Sequence, residues 1–213
     1  MKNFNDDNYY NQALFETSNF KVIPSLGSLV EGWLLIIPKK HFISIRAINN
    51  SKLYSELESL TKQVLDILKF EYGEVILFEH GPVESNKLVG CGVDYAHLHL
   101  VPSRFNLIDG IKKYYNYNYK WEKVSSIENT PKHKDKEQAY LYIQDQFSNS
   151  FITYSDNIPS QLFRKVIANE LGTPEDFDWK ENHNVENIKK TILRLSKYAQ
   201  KINKVNVEIY QVA

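Results

Sequence analysis

His97 and His99 stand one residue apart in Tyr95-Ala96-His97-Leu98-His99-Leu100-Val101, where imidazoles alternate with apolar side chains. In an extended strand successive side chains point to opposite faces, so the spacing predicts that the two rings project together while Leu98 and Leu100 enter the core. Tyr95 falls on the histidine side. Two neighbouring imidazoles on a sheet can ligate a metal, carry nucleophilic and acid chemistry on an anion, or be incidental. A metal centre needs a third and a fourth ligand, and the sequence offers Cys91, Asp94 and His80 without a paired His/Glu motif, which weighs against a metal.

The elements that must position these rings are legible around them. Phe20–Pro24 alternates and stops at proline, predicting a strand. Trp33-Leu34-Leu35-Ile36-Ile37, ended by Pro38, is a short continuous apolar run that predicts a strand buried on both faces, with Trp33 in the core. Leu53, Leu57, Leu60, Val64 and Leu68 recur at helical spacing behind Asn49 and Asn50, either of which can cap. Val75–Phe78 predicts the next strand, leading through His80 into a glycine-containing loop at Gly90 and Gly92, and Ala96–Val101 predicts the histidine strand. This order predicts an α+β fold: a mostly antiparallel sheet backed by a long helix.

Beyond it, a Tyr/Asn/Lys-rich stretch from Lys112 to Lys120 and a polar run from Asn129 to Lys136 read as irregular. Ala139–Ile143 and Phe151–Tyr154 predict a hairpin, Gln161–Leu171 a helix ended at Gly172, and Val185 to Ile202 a second long apolar stripe. These elements predict an α/β C-terminal extension, residues 107–213, packed against a first half of residues 1–106 in one continuous folded unit.

Composition narrows the function classes. The chain has 213 residues, with 42% hydrophobic and 24% charged, and no apolar run long enough for a membrane helix. Basic and acidic residues both number 26, so net charge gives no general attraction to nucleic acid or anionic lipid, and phosphate binding must be local. One cysteine excludes an internal disulfide framework, and the polar start from Met1 to Tyr10 lacks the pattern of a secretory signal. A cytoplasmic protein is expected, with neither nucleic acid nor membrane as partner.

Gly32-Trp33-Leu34-Leu35-Ile36-Ile37-Pro38-Lys39-Lys40-His41-Phe42, the helix after it, and Tyr95-Ala96-His97-Leu98-His99-Leu100-Val101-Pro102 together resemble successive landmarks of the histidine-triad (HIT) superfamily of nucleotide hydrolases and transferases. The family signature is His-φ-His-φ-His-φ-φ, with φ apolar. The resemblance covers about residues 15–105 and places Tyr95 where the first histidine stands, His97 at the second and His99 at the third. It implies that His97 attacks the α-phosphorus of a nucleotide and is transiently nucleotidylated, and that His99 contacts phosphate or leaving group. Tyr95 keeps a hydroxyl that can hydrogen-bond but cannot become a cation near neutral pH. His41 matches a frequent family histidine that supports the site.

A neutral imidazole can attack phosphorus without prior deprotonation, and the phosphoramidate it forms divides one difficult displacement into two steps. Donors for the phosphate are sought at His99, then at the backbone around Gly92 and the Ser103 hydroxyl. His80 is a pocket candidate because its strand should neighbour that of His97. Lys39 and Lys40 either attract phosphate or are simply solvated. Arg164, in a helix-opening segment that faintly resembles part of the larger HIT-related phosphorylases, either reaches the phosphate or serves packing.

The implied function is hydrolysis of dinucleoside polyphosphates or nucleoside phosphoramidates at the α-phosphate. A histidine at position 99, where the transferase and phosphorylase branches carry glutamine, favours hydrolysis. The alternatives are a non-catalytic nucleotide-binding module and a nucleotidyltransferase or phosphorylase. The expected partner is a small nucleotide, with no protein cofactor beyond a divalent cation travelling with a polyphosphate. A homodimer is left open.

Overall fold

The protein is seen in a computed structural model that describes residues 11–82, 95–129 and 138–199. Eight strands build one sheet: β1 (Phe15–Glu16), β2 (Phe20–Pro24), β3 (Leu34–Pro38), β4 (Val75–Gly81), β5 (Leu98–Pro102), β6 (Glu122–Val124), β7 (Tyr140–Gln144) and β8 (Ser150–Tyr154). Their order across the sheet is β1-β2-β3-β5-β4-β7-β8-β6, and every pairing is antiparallel. The sheet continues through the β4–β7 pair, so strands from the second half of the chain extend the same sheet as the histidine strand.

Four α-helices pack on this frame: α1 (Ser51–Tyr72), α2 (Leu107–Tyr115), α3 (Leu162–Glu170) and α4 (Val185–Leu195). Asn50 caps α1 by accepting from the amides of Lys52 and Leu53, and Gly73, at φ 87°, ends it. Leu57, Leu60, Val64 and Leu68 bury the predicted stripe against Leu34, Ile36, Leu98, Leu100, Val75 and Leu77. Each such side chain, withdrawn from water, contributes roughly 1.5–3 kcal/mol.

The other face of the sheet is also covered. Trp33, Ile76, Phe78 and Val101 pack against Leu107 and Ile111 of α2 and Leu162, Phe163, Val166 and Ile167 of α3. The stretch from Lys112 that reads as irregular in the sequence begins inside α2, which has nine residues and is fixed locally by Asn106, whose side chain accepts from the amides of Ile108 and Asp109. The reading of β3 as buried on both faces is corrected as well. Leu34 and Ile36 are buried, but Leu35 and Ile37 are only half-buried because their face opens into the cavities described below. Among the described residues no helix is long and apolar enough to cross a membrane. The stripe from Val185 forms α4 through Leu195, and its last member, Ile202, lies outside the described residues.

Glu79 lies on the α1 face of β4, fully enclosed. Its carboxylate accepts from the Ile45 amide at 2.7 Å and from the Tyr140 hydroxyl. Burial outweighs both donors and the nearby Arg46, and pushes the carboxyl up to about 7. Between the ordinary carboxylate range and pH 7 the folded state therefore holds a proton that the unfolded chain has released, and stability falls as pH rises through that window. The buried histidines, held below their ordinary range, oppose this with the reverse slope. Glu79→Gln should remove only the first contribution. Subtracting its unfolding free energy from that of the wild type between pH 5 and pH 8 should give a difference that declines with pH, and a flat difference would contradict the shift.

Candidate functional site

β5 is the strand that leads from His97 through His99, and its two neighbours set its pleat. His99 pairs with Leu35 of β3 on one side and with Phe78 of β4 on the other. His97 lies just before the strand, tied in place where the Ala96 amide donates to the Phe42 carbonyl at 2.7 Å. The two imidazoles lie on the face opposite α1, edge to face, with ring centroids 4.8 Å apart.

Their tautomers are set by different partners. His97 Nδ1 sits 2.6 Å from the Tyr95 carbonyl oxygen, which can only accept, so Nδ1 carries the proton and Nε2 the lone pair. His99 is arranged the other way: the Trp33 indole N–H donates to His99 Nδ1 at 3.0 Å, which leaves the proton of the neutral ring on Nε2. Burial holds both rings below the ordinary imidazole range, His99 well below it, with His97, Arg164 and His80 adding to the effect at His99. The face thus presents one imidazole with a nucleophilic lone pair beside another with a fixed N–H donor.

Two unequal cavities meet at His97 and Leu35. One, of about 280 Å³, is lined further by Asn11, Lys21, Ile23, Ile37 and Tyr95. The other, of about 110 Å³, is lined further by Ser25, Leu26, His99, Arg164 and Trp179. A third cavity of about 360 Å³ lies on the α1 face among residues such as Thr61, Lys62 and Tyr142, away from the histidines. It is larger than the other two, but no imidazole lines it.

The other predicted residues divide. Tyr95 lines the larger cavity, but its hydroxyl is spent on the Pro38 and Lys39 carbonyls, at 2.8 and 3.1 Å. The group that serves His97 is the tyrosine's main-chain oxygen, which any residue at this position would supply. His41 is exposed and meets the Tyr95 ring edge-on at 5.1 Å, so it buttresses the tyrosine. His80, on the same face of β4 as Phe78, is buried, and among the described residues neither ring nitrogen has a hydrogen-bond partner. Burial and then His97 push it down to about 3, so it is neutral. Gly92 lies outside the described residues, as do Gly90, Cys91 and Asp94.

Ser103 is not brought to the cavities. It stands beyond the far end of β5, where its amide donates to the Glu74 carbonyl and its hydroxyl accepts from the Phe105 amide. Arg164 does reach the smaller cavity, yet its guanidinium is bound to main chain: Nε donates to the Phe177 carbonyl at 2.8 Å and Nη2 to that of Gly27. This argues for a packing role. Lys39 bonds the Thr17 carbonyl and pairs with Glu16, which turns it away from any phosphate. Among the described residues no group of three or more His, Cys, Asp or Glu could hold a metal.

No family model matches the chain, and no curated protein matches it. Eleven chains of solved structures resemble part of it. A hypothetical histidine triad nucleotide-binding protein from Sulfolobus tokodaii strain7 shares 22% identity over 43% of this chain and 59% of its own, at a TM-score of 0.36. A HIT-like protein involved in cell-cycle regulation from Bartonella henselae shares 17% identity over 42% of this chain and 67% of its own, at a TM-score of 0.33. The match thus spans about three-fifths of the first and two-thirds of the second. Superpositions this loose leave function to be argued from the residues.

Several lining residues were not singled out from the sequence. Ile23, Leu35 and Ile37 carry the ordinary strand alternation, and only Lys21, polar among them, hints that this face opens. Ser25, Leu26 and Trp179 come together through Gly27, which at φ 70° sits so close to the Asn182 carbonyl and Trp179 that a Cβ would fall within 2.8 Å of both. A glycine in Ser25-Leu26-Gly27-Ser28 is consistent with a turn, but nothing local names the segment pressed against it.

Proposed function

We propose that the protein is a HIT-like nucleotide hydrolase that cleaves a dinucleoside polyphosphate or a nucleoside phosphoramidate at its α-phosphate. The observation that carries this is the tautomer of His97: with Nδ1–H bound to the Tyr95 carbonyl, Nε2 holds its lone pair on the cavity side of the sheet. In the first step that lone pair attacks the α-phosphorus, the bond to the leaving group breaks, and the departing oxygen or nitrogen takes up a proton. In the second, water attacks the phosphorus, the P–N bond breaks, and the nucleoside monophosphate leaves with His97 restored.

His99 enters as a donor to the phosphate oxygens rather than as the acid. Protonating its ring would place a proton on Nδ1, against the indole N–H that already occupies that nitrogen. The leaving group is therefore protonated by water. The two cavities suit a substrate with unequal halves, the nucleoside over Ile23, Leu35 and Ile37 beside Lys21, and the leaving group toward His99. Because the Tyr95 carbonyl, not its side chain, orients His97, the loss of the first histidine is compatible with turnover.

The test is turnover of diadenosine tetraphosphate and of adenosine 5′-phosphoramidate, each with and without added phosphate. Release of the monophosphate independent of phosphate supports hydrolysis. Formation of a nucleoside diphosphate only with phosphate present would make the protein a phosphorylase, and tight nucleotide binding without turnover would make it a binding module.

A further inference from the structure

We propose that Trp33 is a positioning residue, whose indole N–H fixes the proton of His99 on Nε2 and keeps that ring a neutral donor, with Arg164 holding the indole in place. The donor role toward phosphate rests on the function proposed above; the tautomer does not.

Trp33 and His99 are both buried, and the indole nitrogen lies 3.0 Å from His99 Nδ1. An indole N–H can only donate, so Nδ1 must remain unprotonated for this buried bond to exist. A proton on Nδ1 would leave two N–H groups facing each other with no water between them, and each would lose its partner. Phe78 fixes the plane of the imidazole by stacking on it at 4.4 Å and 18°, and Trp33 meets Phe78 edge-on at 6.0 Å. Tilting of the imidazole out of the plane in which Nδ1 receives the indole N–H is thereby opposed.

The indole is held in turn. The Arg164 guanidinium lies over its ring, 4.9 Å from the centroid, and is itself anchored by the Phe177 and Gly27 carbonyls. The same Gly27 loop is pinned by α4, where Asn187 donates to the Ser28 carbonyl and Thr191 accepts from the Gly32 amide, both at 2.8 Å. The second half of the chain thus acts on His99 through Trp33, in addition to lining the smaller cavity with Arg164 and Trp179.

The experiment is imidazole 15N NMR of the full chain, wild type and Trp33→Phe, as a function of pH and without nucleotide, paired with steady-state kinetics. Phe keeps an aromatic ring in the space and removes only the donor. The wild type should show His99 as the Nε2–H tautomer, still neutral where a solvated imidazole has taken up its second proton. In Trp33→Phe the ring should become a tautomer mixture titrating at higher pH, and kcat should fall about tenfold with KM little changed, as expected for one buried hydrogen bond. A Trp33 that merely fills the core would lower Tm and leave the tautomer alone, which would overturn the proposal. So would a wild-type His99 protonated on Nδ1, a result that needs no variant to fold. If the protein turns over no nucleotide, the hydrolase reading fails while the 15N result still decides the tautomer.

Discussion

His97→Asn is expected to lower turnover by on the order of 10⁴-fold while nucleotide affinity changes by less than about threefold. Asparagine can still donate to the Tyr95 carbonyl that now receives His97 Nδ1–H, so the local backbone keeps its partner. It offers no nucleophilic nitrogen, because its amide lone pair is delocalised into the carbonyl. The affinity should persist because the proposed nucleoside cavity is walled mostly by Lys21, Ile23, Leu35, Ile37 and Tyr95, and His97 adds only one edge. Rapid acid quench with substrate labelled in the α-phosphate should capture a protein-bound nucleotide in the wild type and none in the variant. Near-normal turnover in His97→Asn would remove the nucleophile assignment. An affinity loss as large as the rate loss would show His97 to be mainly a binding group.

What the sequence made legible follows from how local each signal is. The common face of His97 and His99 and the opposite face of Leu98 and Leu100 need only the two-residue period of a strand, and the α1 stripe behind Asn50 needs only the helical period. Trp33 was read as core, which its burial matches, yet its bond to His99 joins residues 66 positions apart. No local pattern states which residue of a neighbouring strand will lie abreast of a given imidazole. The Arg164–Gly27 contact spans 137 positions, and Arg164 and Trp179 line the smaller cavity from the far half of the chain. Ser103 shows the converse error. Nearness in sequence to His99 suggests a phosphate donor, but a strand carries each successive residue about 3.3 Å further away, and Ser103 lies past the end of β5 with its hydroxyl accepting from the Phe105 amide.

Truncation after Asn106 is expected to abolish cooperative folding as well as turnover. The cut removes β7, so the outer edge of β4 from Leu77 to Gly81 loses its whole ladder of backbone hydrogen bonds. It also strips α2 and α3 from Trp33, Ile76, Phe78 and Val101, which are almost fully buried in the intact chain. Re-exposing four such side chains costs roughly 1.5–3 kcal/mol each, about 6–12 kcal/mol together, against a total domain stability of about 5–15 kcal/mol. The loss is comparable with everything that holds such a domain folded. His99 would suffer first, since Phe78 and Trp33, which fix its plane and its proton, would both face water. The measurement is thermal and urea unfolding of residues 1–106 beside the full chain. A soluble fragment with a sharp transition and full activity would show that the second half is a separable appendage. Arg164→Ala in the full chain refines the result: it should lower Tm by releasing the Gly27 loop and the Trp33 indole, while substrate affinity changes little because the guanidinium is already bound to main-chain carbonyls.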